Sequence, residues 1–119
     1  MKTSQKVVLV TGGSSGIGQA IAQYLSEHGH LVYATSRNPA QEMLGKVHMI
    51  SMDVCDPNSV SNALKIIQSE AGKLDVLVNN AGLGMAGPLE STSQEEAEEI
   101  FSTNVFGVLN VCRAAVPLM

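Results

Sequence analysis

A chain of 119 residues that is 45% hydrophobic and 15% charged has the composition of a single globular domain, which excludes a disordered segment. A net charge of −4, with few and scattered Lys and Arg, excludes the basic patch that a nucleic-acid or anionic-membrane partner requires. Cys55 and Cys112 belong to no CxxC pair, and His28, His30 and His48 have no companion at ligand spacing, so neither a disulfide framework nor a metal site is expected.

The first apolar run follows Lys6 and is too short for a signal-peptide core or a membrane span, so a cytoplasmic domain is expected. Residues 6–11, KVVLVT, read as a β-branched strand of the kind buried in a parallel sheet. Ile17, Ala20, Ile21 and Leu25 recur at helical spacing, and Gly29 sits at the expected C-terminal cap. LVYAT (31–35) and VHMISM (47–52) read as the second and third strands. Asp56-Pro57 opens the next helix, because Asp caps free N–H groups and Pro suits the first turn. Its buried stripe is Val60, Ala63, Leu64, Ile67 and Ala71, with Gly72 closing it. DVLVN (75–79) is a fourth strand, and GLGMAGP (82–88) is a glycine-rich loop. Thr92 and Glu95 have the spacing of a capping box, and EEAEE (95–99) reads as a solvated helix face. The pattern stays helical to Met119, with a break near residues 102–104. Strands alternating with helices of this length predict an α/β fold with right-handed crossovers and a parallel sheet, as one domain over 1–119.

The stretch LVTGGSSGIGQ (9–19) sets flexible residues where a strand hands over to a helix. N–H groups at a helix start are unpaired and the dipole is positive there, so a phosphate satisfies both if no side chain blocks it. Glycines at 12, 16 and 18 allow the turn, the approach of a pyrophosphate and tight packing of helix on strand. The spacing is not the literal GxGxxG pattern, and a tight turn without a ligand is the alternative.

TGGSSGIG (11–18), DV (53–54), NNAG (79–82) and NVFG (104–107), in this order and spacing, resemble the short-chain dehydrogenases/reductases. The resemblance runs over essentially the whole chain. It implies a Rossmann-type, doubly wound parallel sheet of about seven strands with NAD or NADP along the strand C-termini, of which this chain supplies strands 1 to 4. It also implies that Gly12, Ser14, Ser15, Gly16, Ile17 and Gly18 line the pyrophosphate and adenosine ribose. Asp53 and Val54 would face the adenine, and Asn80, Ala81 and Gly82 the nicotinamide-side ribose. Asn79 would brace the sheet, and Asn104 would support a proton relay with a water. As residues alone, Asp53 also fits a strand-ending turn, Asn79 and Asn80 fit turn formers, and Asn104 fits a helix kink.

Charge at the end of the second strand separates the two cofactors: a carboxylate suits the NAD ribose, a cation the NADP phosphate. Ser36 stands at the usual acidic position, Arg37 follows, and no Asp or Glu occurs before Glu42. NADP is therefore expected, with NAD as the alternative and a plain surface role as the other reading of Arg37.

The resemblance further implies a tyrosine activated by a lysine four residues later, a spacing that a helix brings to one face. The chain has Tyr33 with Arg37 on a predicted strand, where four residues span roughly 13 Å, and Tyr24 with His28 on the first helix. Neither fits. The expectation is the N-terminal cofactor-binding part of an NADP-dependent oxidoreductase, incomplete at its C-terminus, inactive alone, and homo-oligomeric at full length. Its substrate would be a small-molecule carbonyl or alcohol. The alternative is a stand-alone nucleotide-binding or interaction module without catalysis. In either case strand 75–79 is expected to form an unpaired apolar edge.

Overall fold

The computed structural model describes residues 4–84 and 87–119, so residues 85–86 of the glycine-rich loop and residues 1–3 lie outside the described residues. Five strands form one sheet: β1 (Val7–Val10), β2 (Leu31–Ser36), β3 (Met43–Leu44), β4 (Val47–Ser51) and β5 (Val76–Val78). Their order is β3-β4-β2-β1-β5. All neighbours run parallel except β3, which pairs antiparallel with β4. The four strands expected from the sequence are β1, β2, β4 and β5, and β3 is an addition. β5 is the free edge opposite β3.

The helices are α1 (Gly16–Glu27), α2 (Pro57–Ala71), α3 (Gln94–Phe101) and α4 (Gly107–Ala115). A π-helical turn, Ser102–Phe106, joins α3 to α4 where the sequence pattern breaks. β1 is buried on both faces, so its residues alternate between two cores. Val8 and Val10 pack with Ala22, Val32, Ala34 and Val47 on the α1 side. Val7 and Leu9 pack with the α2 stripe of Val60, Ala63, Leu64 and Ile67, and with Val111 and Ala115 of α4, on the other. The sheet is thus covered on both faces. A fully buried side chain of this size contributes roughly 1.5–3 kcal/mol, so the β1–α2–α4 layer is the larger stabilising contribution.

Two sequence expectations are corrected. The buried face of α1 is Gly18, Ala22 and Ser26, flanked by Ile21 and Leu25, while Ile17 and Ala20 are exposed. The helix is rotated because Gly18 presses directly against the loop before it. The cap of α3 is Ser93, whose hydroxyl accepts from Glu96 N at 3.1 Å, one residue beyond the expected pair. The α2 cap is as expected: Asp56 Oδ1 accepts from Asn58 N at 3.0 Å, and Gly72 closes the helix at φ +76°.

Asp75 fastens the start of β1, accepting from Val7 N at 2.8 Å and pairing with Lys73 at 3.0 Å. The Val7 N–H, then Lys73, hold its carboxyl below the ordinary value of 3.8. Among the described residues, the helical run Gln94–Leu118 alone is long and apolar enough to cross a bilayer by length and composition. Val111 and Ala115 face α2, and Phe101, Val105, Phe106 and Leu109 are exposed on the same run.

Candidate functional site

Parallel pairing puts the C-terminal ends of β1, β2, β4 and β5 on one edge, where the loops that follow them bound a cleft of about 590 Å³. The loop from β1 to α1 is built on close contacts. Gly13 N donates to Thr35 O at 2.9 Å, and a Cβ on Gly13 would lie 2.5 Å from Ala34 Cβ. A Cβ on Gly18 would fall on Gly12 O and Asn80 Nδ2. Gly12 and Gly16 adopt φ +67° and +57°, the left-handed region that favours glycine, and open space surrounds Gly16. Ser15 is the extended N-cap of α1, yet its side chain makes no capping bond and the first turn holds no acidic residue. The positive end of α1 therefore faces the cleft without a side-chain partner.

The loop after β5 is locked onto the glycine loop. The buried Thr11 hydroxyl accepts from Asn80 N and Ala81 N, both at 3.0 Å, and Asn80 Nδ2 donates to Gly12 O at 3.0 Å. Asn80 thus spends its amide on holding the turn. Asn79 points elsewhere and donates to Cys112 Sγ at 3.5 Å.

After β4, Asp53 makes a local turn: its Oδ1 accepts from Cys55 N at 2.9 Å, and its own N–H donates to Ser59 Oγ at 2.8 Å. Val54 is buried beneath Gly107, and its carbonyl accepts from Asn110 Nδ2 at 2.9 Å. At the end of β2, Arg37 lines the cleft, and its carbonyl accepts from Ser51 Oγ at 3.1 Å. Among the described residues, the only ion pair is Lys73–Asp75, so the Arg37 guanidinium has no carboxylate partner there.

Asn104 stands in the π-turn. Its Oδ1 accepts from Leu83 N and its Nδ2 donates to Leu83 O, both at 2.7 Å, so the amide mimics a strand neighbour for that loop. A Cβ on Gly82 would lie 3.0 Å from Asn104 Oδ1.

Of the residues singled out in the sequence, Gly12, Ser14, Ser15, Arg37, Asp53, Val54, Asn80, Ala81 and Gly82 line the cleft together. Gly16, Ile17, Gly18 and Asn104 do not. Gly18 is buried under the loop, Ile17 is 74% exposed at the helix start, and Asn104 braces the wall from behind. The cleft also takes Ser36 and Asn38 from the end of β2, Cys55, Leu83, and Glu99, Ser102 and Thr103 from the α3 side. Position beside Arg37 was a signal for Ser36 and Asn38. The α3 residues carried none, because only the tertiary fold brings them to the strand ends. Neither tyrosine lines the cleft: Tyr33 is buried on the α2 side, where burial and then Glu70 raise its pKa, and Tyr24 stacks on His28 at 4.0 Å.

The donors of this cleft, a helix N-terminus without a side-chain cap, Ser14, Ser15 and an arginine with no ion-pair partner among the described residues, fit an elongated anion such as a phosphorylated dinucleotide. Comparison with known proteins points the same way. A family model described as short chain dehydrogenase matches residues 6–119. The chain is 50% identical over 114 residues to a 3-ketodihydrosphingosine reductase of Bacteroides thetaiotaomicron, covering 96% of this chain and 42% of that protein. It is 38% identical over 132 residues to human retinol dehydrogenase 8, covering 100% of this chain and again 42% of the relative. The chain therefore spans less than half the length of these relatives. Among solved structures, the aldohexose dehydrogenase of Thermoplasma acidophilum superposes with a TM-score of 0.88 at 38% identity, over 97% of this chain and 44% of that one.

Proposed function

The chain belongs to the short-chain dehydrogenase family, and from that premise we propose that it forms the dinucleotide-binding part of an NADP-dependent oxidoreductase acting on a small-molecule carbonyl or alcohol. The observation that carries the reading is Arg37, which lines the cleft beside Ser36 and whose guanidinium has no carboxylate partner among the described residues. A cation there suits a 2′-phosphate, whereas a ribose 2′-OH would call for a carboxylate.

In this reading the uncapped start of α1, with Ser14 and Ser15, holds the pyrophosphate, and Asp53 with Val54 lines the adenine end. Ala81 and Gly82 border the nicotinamide-side ribose, while Asn80 keeps the glycine turn in shape. When bound, the nicotinamide supplies the hydride chemistry. The relay role that the family pattern gives Asn104 belongs to the same reading. The chain holds no Tyr-x-x-x-Lys, so proton transfer at the substrate is assigned to residues outside these 119. Identity to a 3-ketodihydrosphingosine reductase makes 3-ketodihydrosphingosine the first substrate to try. The exposed apolar face of Phe101, Val105, Phe106 and Leu109 supports a homo-oligomer.

Calorimetric titration with NADPH and NADH tests the assignment. Arg37→Ala is expected to weaken NADPH by about 1.5–3 kcal/mol, the range for a charge-assisted hydrogen bond, and to leave NADH unchanged. Equal losses for both would refute it. Sustained NADPH oxidation by the purified chain with 3-ketodihydrosphingosine would refute the assignment of proton transfer to other residues.

A further inference from the structure

Two loops form facing walls of the cleft, residues 53–55 after β4 and residues 80–83 after β5. One helical run holds both. Asn110 on α4 donates to Val54 O at 2.9 Å, and a Cβ on Gly107 would sit 2.7 Å from Val54 Cγ2. Asn104 holds Leu83 through both of its amide atoms. The π-turn Ser102–Phe106 lies at the junction, with Gly107 N donating to Ser102 O, five residues back.

Such a turn carries one residue more than an α-helix would, and an α-helix rotates by about 100° per residue. With Gly107 and Asn110 fixed against Val54, a regular helix would swing Asn104 about 100° around the axis, away from Leu83. The inserted residue is what lets one helix grip both loops.

We propose that the π-turn sets the register between the two walls of the cleft, and that Asn110 is the positioning residue for the Asp53 wall. Asn110 does not line the cleft. It acts through the Val54 carbonyl, and Asp53 and Cys55 on either side of Val54 do line it. Thr103 adds a second tie to the same wall, with its Oγ1 3.4 Å from Cys55 Sγ. The wall names rest on the nucleotide reading above, whereas the coupling rests on geometry alone.

The test uses the whole chain, two half-cofactor probes and site-resolved amide hydrogen exchange. Asn110→Leu keeps the size and removes the donor, so affinity for 2′,5′-ADP should fall by about twofold to tenfold, the weight of one hydrogen bond. Nicotinamide mononucleotide should bind unchanged, and exchange should rise at the Asp53 and Cys55 amides but not at Leu83. Asn104→Leu should give the mirror image, weakening the mononucleotide and releasing the Leu83 amide. Deleting Val105 should release at least one wall while the β1 and β2 amides stay protected. Equal losses for both probes in Asn110→Leu, equal release of both walls, or a Val105 deletion that leaves both protected would overturn the proposal. If neither probe binds the unaltered chain, the nucleotide reading fails, and the exchange pattern still decides the coupling.

Discussion

Gly18→Ala separates helix propensity from tertiary contact, because the two make opposite forecasts. Gly18 lies inside α1, where replacing Gly by Ala ordinarily stabilises by about 1 kcal/mol. Here the new methyl would fall on Gly12 O and Asn80 Nδ2. The Asn80–Gly12 bond of 3.0 Å would be lost, at about 1 kcal/mol, and crowding against a backbone carbonyl adds about 1–3 kcal/mol. Subtracting the propensity gain leaves a net destabilisation of about 1–3 kcal/mol. For a chain of this size that is a fall in Tm of about 4–12 °C. Thermal unfolding followed by circular dichroism reads this directly. Removing the Asn80 side chain as well should make the methyl less damaging, so the double variant should be less destabilised than the two single changes added together. A Tm for Gly18→Ala equal to or above that of the unaltered chain would refute the close-packing account and leave propensity in charge.

Other outcomes follow from single contacts. Asp56→Ala removes the α2 cap and should cost about 0.5–2 kcal/mol in denaturant unfolding, while Asp56→Asn should retain most of the stability. Asp75 has a depressed folded pKa, so its contribution is present above the unfolded value and is lost as pH falls through the folded one. The stability gap between the unaltered chain and Asp75→Asn should therefore be widest at neutral pH and shrink below about pH 4, and a gap independent of pH would count against the Val7 and Lys73 contacts as its cause. If the exposed face of the α3–α4 run joins copies of the chain, Leu109→Lys should lower the mass seen by light scattering, and an unchanged mass would move the interface elsewhere, β5 first.

Strand and helix positions were legible because each carries its own local signal. KVVLVT is mostly β-branched, and Asp56-Pro57 with Gly72 brackets α2 in sequence as it does in space. The hairpin β3–β4 was legible in principle, since Gly45-Lys46 between Met43-Leu44 and Val47-His48 is a two-residue turn and Gly45 sits at φ +61°. What a periodic pattern hides is displacement. Ile17 looks like core, but a helix beginning with glycines can turn its smallest residue inward, and Gly18 takes that place. The glycine loop, the Asp53 turn and Asn80 were readable as a group because their motifs mark successive strand ends along one edge. Glu99 and Thr103 reach the same cleft from α3 and from the π-turn after it; the sequence marks a break at 102–104 but not the direction in which the turn rotates α3 against α4.

The Thr11 lock also has a kinetic meaning. Its hydroxyl accepts from Asn80 N and Ala81 N, partners 69 and 70 residues away. Contacts of such separation form only after the intervening chain has closed, and that closure entropy makes them late events in folding. β1, α1 and β2 can pair early, but until β5 docks, the glycine loop has neither the Thr11 bonds nor the Asn80 bond that fix its shape. The cleft should therefore be absent from the folding transition state, and Thr11→Val, which removes the accepting hydroxyl and keeps the branched shape, should speed unfolding while leaving the folding rate nearly unchanged. During synthesis, the glycine loop would gain these bonds only after the segment carrying Asn80 had emerged, so a ligand that needs the finished cleft would bind after the last of these strands has docked.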